Sequence, residues 1–577
     1  MGETHLSRES ISSTQPQQRD MSKPSDSNEQ ADAEKDFKSK SFQFWLIMIS
    51  IYFCFILVAL DRMIVATAIP AITNTFGSIS DIGWYGSGYM LTCAIFNPLY
   101  GKLYQLYDTK RTFLIAIFIF EVGSAICGAA PTSTTLIVGR AIAGIGAAGI
   151  TCGSIMSVIP LIPLPKRPLF ISFFGLAFGV ASVLGPFLGG TFTDNASLGW
   201  RWCFYINLPI GGVTFAVIFF FLQLESSPKT DLSIWAQIKR LDPIGLLFFI
   251  PSMVSLILAL QWGGTTDPWS APKIIGLLIT FAVTFVAFLV VEFKMPETAM
   301  APARVVLNRS VGGAMFFVFV MTGGSMNAIY YLAIWFQAAQ GQTAMEAGVR
   351  TIPLVLCLVL TGIVAGACTQ KIGYCNPAMF VSPILSAIAS GLLSTLVPHS
   401  SASKWIGYQV FYGIGLGCGL QTANLVPQVV LPPSDISLGM ALMFFVQQQG
   451  GAIFLAVGQS VFSQELVKQL SGIAGLDTQA VIHTGATELR KTVPANDIGT
   501  VINAYSYSLT RVFLVVAGLS SCMILGTLLV EWRSIKKADP PAKDEDVEKD
   551  CSTKSAGSIV TAGSVKTTSV VEKQSCK

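Results

Sequence analysis

About fourteen runs of roughly 18 or more mainly apolar residues divide the chain. They lie near 44–66, 84–104, 112–130, 135–158, 168–192, 203–222, 243–262, 273–293, 311–336, 348–368, 377–397, 404–426, 438–462 and 512–532. Each can cross a hydrocarbon layer of about 30 Å as a helix, the one open structure that satisfies its own backbone hydrogen bonds in lipid. The pattern predicts an all-α, polytopic membrane protein. Charged residues make up only 12% of the 577 and hydrophobic ones 52%, too little charge to cover a soluble chain of this length.

Lys and Arg predict the orientation. With both termini cytoplasmic, the inner loops hold Lys102, Lys110, Arg111, Lys166, Arg167, Lys229, Lys239, Arg240, Lys294, Arg304, Arg309 and Lys371, against Arg201, Lys273, Arg350 and Lys404 outside. The plasma membrane is the expected site, with a vacuolar or vesicular membrane as the alternative. This bias accounts for the net charge of +4 without a nucleic-acid partner. The first 43 residues contain no signal-peptide core, so the first span directs insertion. The twelve Cys lie mainly in spans and tails and imply no disulfide framework.

The polar ends 1–43 and 533–577 read as disordered cytoplasmic tails. Between them the expected units are a six-helix bundle over 44–222, a linker with two extra spans over 223–310, and a second six-helix bundle over 311–532. The last carries a long outer loop at 463–511. An internal echo supports this division: Gly413-Ile-Gly415 aligns with Gly144-Ile-Gly146, which sets Gln409 where the first half has Arg140.

Ionisable groups inside spans cost roughly 2.5–3.5 kcal/mol on insertion scales, so they normally face a bundle interior or a wet cavity. The first span carries Asp61 and Arg62, the third Glu121, and the fourth Arg140. Helix neighbours point about 100° apart, so Asp61 and Arg62 cannot simply pair with each other. One is expected in a cavity while the other pairs with another helix; a structural ion pair near the outer interface is the alternative.

Small residues mark the fifth span, where Gly175, Gly179, Ser182, Pro186 and Gly189 fall on one helical face. Such a face admits a second backbone closely, and Pro186 removes an amide donor and is expected to bend the helix. Gly144-x-Gly146-x-x-Gly149 matches a dinucleotide fingerprint, but it lies mid-span with no strand before it. The basic stretch Gly101-Lys102 to Asp108, Lys110 and Arg111 serves topology, with gating as an added role. Trp200-Arg201-Trp202 to Pro209 reads as an interfacial anchor, and Asn195-Ala-Ser197 as a glycosylation sequon on an outer loop.

Neutral polar and aromatic residues gather in the second half: Asn327, Tyr330 and Tyr331, then Gln421, Asn424 and Gln428, then Gln447, Gln448 and Gln449. With Arg62 they suit a cavity for a lipophilic compound bearing a few hydrogen-bonding groups. Interhelical hydrogen bonding is the competing account. No enzyme is expected: the three His, at 5, 399 and 483, lie outside the spans, and there is no Walker-type loop. No metal or other cofactor is implied.

Leu60-Asp61-Arg62-x-Ile-Val-Ala-Thr-Ala-Ile-Pro70, Arg140-Ala-Ile-Ala-Gly144, Gly179 to Gly190, Trp200 to Pro209 and His483 to Arg490 together carry a resemblance. The chain resembles the fourteen-span drug:proton antiporters of the major facilitator superfamily, and looks most like the fungal mycotoxin and azole efflux pumps. The resemblance covers about 44–532. It implies the superfamily's fold, in which two six-helix halves rock around a midplane cavity to export a small hydrophobic molecule while a proton enters. It implies a proton-carrying role for Asp61, with Arg140 tuning that carboxyl and Glu121 in reserve. Gly179, Gly185, Pro186, Gly189 and Gly190 would be the antiporter motif, a tight hinge. Substrate, protons and membrane lipids are the expected partners, and a monomer is expected. Gln105 stands where such proteins usually have Asp in the loop after the second span, which leaves the lock there weakened or taken over by Asp108. A siderophore or nutrient importer of the same superfamily and a non-transporting sensor are the rival functions.

Overall fold

The computed structural model describes residues 41–77, 81–195, 197–223, 234–263, 267–296, 298–471 and 498–536. Most of both expected tails, and 472–497 of the expected outer loop with His483 to Arg490, lie outside the described residues.

Fourteen long helices follow in order: α1 (Phe42–Phe76), α2 (Ile82–Leu106), α3 (Thr109–Ala129), α4 (Ser133–Leu161), α5 (Arg167–Asp194), α6 (Asn207–Phe221), α7 (Pro243–Trp262), α8 (Pro272–Lys294), α9 (Arg309–Ala338), α10 (Ile352–Ile372), α11 (Asn376–Leu393), α12 (Ala402–Val430), α13 (Ile436–Leu470) and α14 (Ile498–Leu529). Among the described residues, 12 stretches are long and apolar enough to cross a membrane. The two long helices missing from that set are α2 and α12. Both bury polar groups inside the bundle, Asn97 and Lys102 on α2 and Gln409, Asn424 and Gln428 on α12, which lowers their hydropathy.

Local chemistry sets the ends. Gly77 closes α1 at a φ of +62°, a conformation that favours glycine, and its N–H reaches Thr73 O at 2.8 Å. Asp108 caps α3 by accepting from the Arg111 amide at 2.8 Å. The connection after the second span is therefore only Tyr107 and Asp108, and Gly101 and Lys102 are helical, not loop residues.

The outer loop is also shorter than expected. Helix α13 continues to Leu470 because Phe462, Leu466 and Leu470, one turn apart, all bury against the core. Helix α14 begins at Ile498, and Val501, Ala504, Tyr505 and Leu509 are buried. Amphipathic turns extend both helices beyond their apolar runs.

Within α1–α6, α1 packs on α5 and α6, α2 on α4, and α3 on α4 and α6. The same pairing recurs eight helices later: α9 on α13 and α14, α10 on α12, and α11 on α12 and α14. Two matching seams join these sets, α2 with α13 and α5 with α10. The inserted α7 and α8 pack on each other, and α7 rests against α2 and α13.

Glycines make the close contacts that lipid-embedded helices rely on. A Cβ on Gly146 would stand 2.7 Å from Ala116 O, and one on Gly415 would stand 2.7 Å from the Ser386 amide. The glycine pattern of α4 and α12 thus serves packing in both halves.

Candidate functional site

The polar centre of the first half is built from five helices. Arg140 of α4 donates from Nη1 to Asp61 Oδ2 of α1 at 2.5 Å and from Nε to Tyr85 O of α2 at 2.9 Å. Asn207 of α6 donates from Nδ2 to Asp61 Oδ1 at 3.2 Å and to Ser124 Oγ of α3 at 3.1 Å. Asp61 is 0% exposed and Arg140 1%, so both charges are removed from solvent and lipid, and each carboxylate oxygen has a donor. The Tyr89 ring lies 4.3 Å from the guanidinium carbon.

Arg62, one residue on, turns away from that pair and donates from Nη1 to Gln448 Oε1 of α13 at 3.1 Å. Two cavities meet at this contact. One of about 140 Å³ is lined by Arg62, Tyr89, Asn97, Thr151, Gln447 and Gln448 among others. The other, about 430 Å³, is lined by Arg62, Met90, Gln261, Tyr330, Gln448 and Gln449 among others. Tyr89 therefore touches the buried ion pair on one side and the smaller cavity on the other.

Glu121 of α3 lies one helical turn before Ser124, and its carboxyl faces Gly211, one turn after Asn207 on α6. A side chain at 211 would collide with it. Both Glu121 oxygens are buried with no hydrogen-bond partner among the described residues. The structure thus stacks two carboxyls along the α3/α6 contact, one fully paired and one bare.

Of the expected cavity residues, Arg62, Tyr330, Gln447 and Gln448 line these cavities. Asn424 stands behind, accepting from Gln447 Nε2 at 2.9 Å. Asn327 is fully buried, donates to Gly323 O at 2.9 Å and packs against Gly458. Gln421 lies beside Gly175, where α12 meets α5. Neither lines the two cavities: Asn327 bonds within its own helix and packs against Gly458 of α13, and Gln421 packs against Gly175 of α5.

Helix α5 runs unbroken through Pro186. Its small residues point in two directions: a Cβ on Gly179 would strike Val359 of α10, while one on Gly185 would stand 2.7 Å from Met63 Cβ of α1. Gly189 is buried, whereas Gly190 has nothing within 4 Å of its Cβ position and makes no close approach. Gly175 and Gly179, expected on one face, both approach the second half, at Gln421 of α12 and Val359 of α10, while Gly185 lies outside that expected set.

At the α2/α13 seam, a Cβ on Gly101 would stand 2.6 Å from Ala441 Cβ. Gln105 donates from Nε2 to Ser434 O at 3.0 Å and to Asp435 Oδ1 at 3.3 Å. Arg304, in the short helix Ala303–Val306, donates to both oxygens of Asp435, each at 2.9 Å. The hydrogen bond to Asp435 pushes the Arg304 guanidinium above its ordinary value. Gln105 therefore makes the cross-seam contact itself, while Asp108 is committed to capping α3. Of the other basic residues there, Lys102 is buried and Lys110 Nζ sits 5.8 Å from the Phe219 ring centre.

Trp200 is buried, its Nε1 donating to Thr75 Oγ1 at 3.1 Å, while Trp202 is exposed and Arg201 donates to Ala130 O at 2.8 Å. Asn195 is exposed, and its Oδ1 accepts from the Ser197 amide. Sequence reasoning missed Asn207, Tyr89, Arg304 and Asp435. Asn207 was visible as the only amide in the run from Trp200 to Pro209.

Three comparisons bear on this arrangement. The Major Facilitator Superfamily profile matches residues 51–455. An MFS-type efflux pump of Arthroderma benhamiae is 46% identical over 491 residues, 84% of this chain and 91% of that protein. An efflux pump of Aspergillus parasiticus is 43% identical over 508 residues, 88% of this chain and 98% of that one. Among solved structures, a proton:xylose symporter matches with a TM-score of 0.53 at 14% identity, over 82% of this chain and 94% of its own, which is a likeness of fold. The chain is a polytopic helical membrane protein similar to fungal efflux pumps, and it belongs to the Major Facilitator Superfamily.

Proposed function

We propose that this transporter exports lipophilic small molecules bearing a few hydrogen-bonding groups, in exchange for protons, at the plasma membrane. The observation that carries the reading is the shared position of Tyr89, against the buried Asp61–Arg140 pair and in the wall of the cavity that Arg62 lines. A substrate that shifts Tyr89 or α1 disturbs the ion pair. A buried carboxylate separated from its cation needs a proton in its place, and this links occupancy of the cavity to proton uptake.

Asp61 is the proton-carrying group in this account, and Arg140 is the cation that replaces the proton. Glu121, one turn away with no donor of its own, is the second carboxyl able to take it. A proton crossing 100 mV supplies about 2.3 kcal/mol, enough for a concentration gradient of a few tens-fold. The efflux direction rests on the names of the similar fungal proteins.

The test is efflux of a lipophilic dye from proteoliposomes driven by an imposed pH gradient. Asp61→Asn is expected to abolish the gradient-dependent part and Glu121→Gln to slow it. Loss in Glu121→Gln with Asp61→Asn unaffected reverses the assignment, and efflux indifferent to the gradient removes proton coupling.

A further inference from the structure

We propose that a third cavity, between the inserted helices and the α2/α13 seam, binds an acyl chain of a membrane lipid. The cavity is about 240 Å³, below the roughly 300–1,000 Å³ of pockets that enclose a drug-sized solute. Phe249 of α7, Phe288 of α8, Met315 of α9 and Leu442 and Phe445 of α13 form its walls. Glu292 is the one charged residue among those lining it, and its two oxygens already accept from the Met300 and Ala301 amides at 3.1 and 3.0 Å. A polar ligand finds no free partner here, whereas an alkyl chain does.

The mouth identifies the source of the chain. Leu289, Phe293 and Leu307 line the cavity and are also exposed, at 38%, 61% and 70%. They continue the apolar outer face of α8, where Ile275, Ile279, Val283 and Val286 are exposed on a helix apolar enough to span a membrane. The cavity is therefore continuous with the lipid-facing surface. An empty void deprives its lining of dispersion contacts, and lipid chains are the molecules in greatest supply at such a mouth. By contrast, the cavity of about 430 Å³ presents Arg62, Gln448 and Gln449 and suits a solute with polar groups. A chain lodged against Pro98, Met315 and Phe445 touches α2 of the first half and α9 and α13 of the second, so it spans the seam that transport must open.

The experiment uses the full chain in phosphatidylcholine liposomes doped with a phosphatidylcholine that carries a photoactivatable diazirine on one acyl chain. After irradiation, adducts are mapped by peptide mass. Adducts are expected inside the cavity, at buried Phe249 and Leu442 and half-buried Met315, as well as at lipid-facing Ile279 and Val283. Val446→Trp and, separately, Ala303→Phe fill the cavity and are each expected to lower the buried adducts about fivefold, with Ile279 and Val283 unchanged. Adducts confined to Ile279 and Val283 overturn the proposal, as do buried adducts indifferent to both variants. Displacement of the buried adducts by excess Nile red, with surface adducts retained, assigns the cavity to a lipophilic solute and also overturns it.

Discussion

Arg140 and Asp61 form an ion pair at 2.5 Å in which neither residue is more than 1% exposed, and Asn207 occupies the second carboxylate oxygen. Removing one partner of such a pair leaves an uncompensated buried charge, at about 3–5 kcal/mol, while removing both is far milder. Arg140→Met should therefore unfold at a clearly lower temperature than the double variant Arg140→Met with Asp61→Asn. Thermal unfolding of the purified protein in detergent measures this. Equal midpoints for the single and double variants contradict the pairing.

Glycines within the spans should divide sharply by contact. A methyl on Gly146 meets backbone atoms of α3, so Gly146→Ala should destabilise by about 1–3 kcal/mol and lower the folded yield. Gly190→Ala enters open space and should leave the yield unchanged. Size-exclusion profiles of the two variants decide the matter.

By holding Asp435 toward Gln105 of α2, the Arg304–Asp435 contact should support the closed α2/α13 seam at a strength independent of pH from 7 to 9. The hydrogen bond to Asp435 raises the Arg304 value above its ordinary one. The contribution of a raised cation is complete below its unfolded value and is lost only as pH climbs through the folded one. From pH 7 to 9, maleimide labelling of Ser434→Cys, corrected for thiolate fraction, should stay constant. Arg304→Ala should raise it severalfold, and salt near 1 M should raise it partly, since Arg304 is half exposed and screened. Labelling that Arg304→Ala leaves unchanged contradicts this role.

Gln449 lines the larger cavity with both amide atoms buried and without a partner among the described residues. A substrate that satisfies that amide gains about 1–3 kcal/mol over one that does not. Gln449→Leu should raise KM for such a substrate about tenfold with little change in maximal rate. An unchanged KM for every transported compound removes Gln449 from the site.

Apolar run length revealed the fourteen helices because membrane crossing demands it of each segment separately. It failed at the α13/α14 connection, where Leu466 and Leu470 keep a partly polar stretch helical by burying one face. Charge inside spans singled out Asp61, Glu121 and Arg140, since each such group needs a reason to be there. Their partners were hidden because Asn207 and Tyr89 are ordinary residues until α6 and α2 fold against α1 and α4. Asn327 and Gln421 share the polarity of the cavity residues, and the interhelical packing that claims them lies in no local pattern.

Proton movement on addition of a transported compound, recorded in proteoliposomes of wild type and Asp61→Asn, tests the central claim most directly. The account predicts a compound-dependent proton flux in wild type that disappears in the variant while compound binding persists. Compound movement without proton flux in wild type, or undiminished flux in Asp61→Asn, contradicts it.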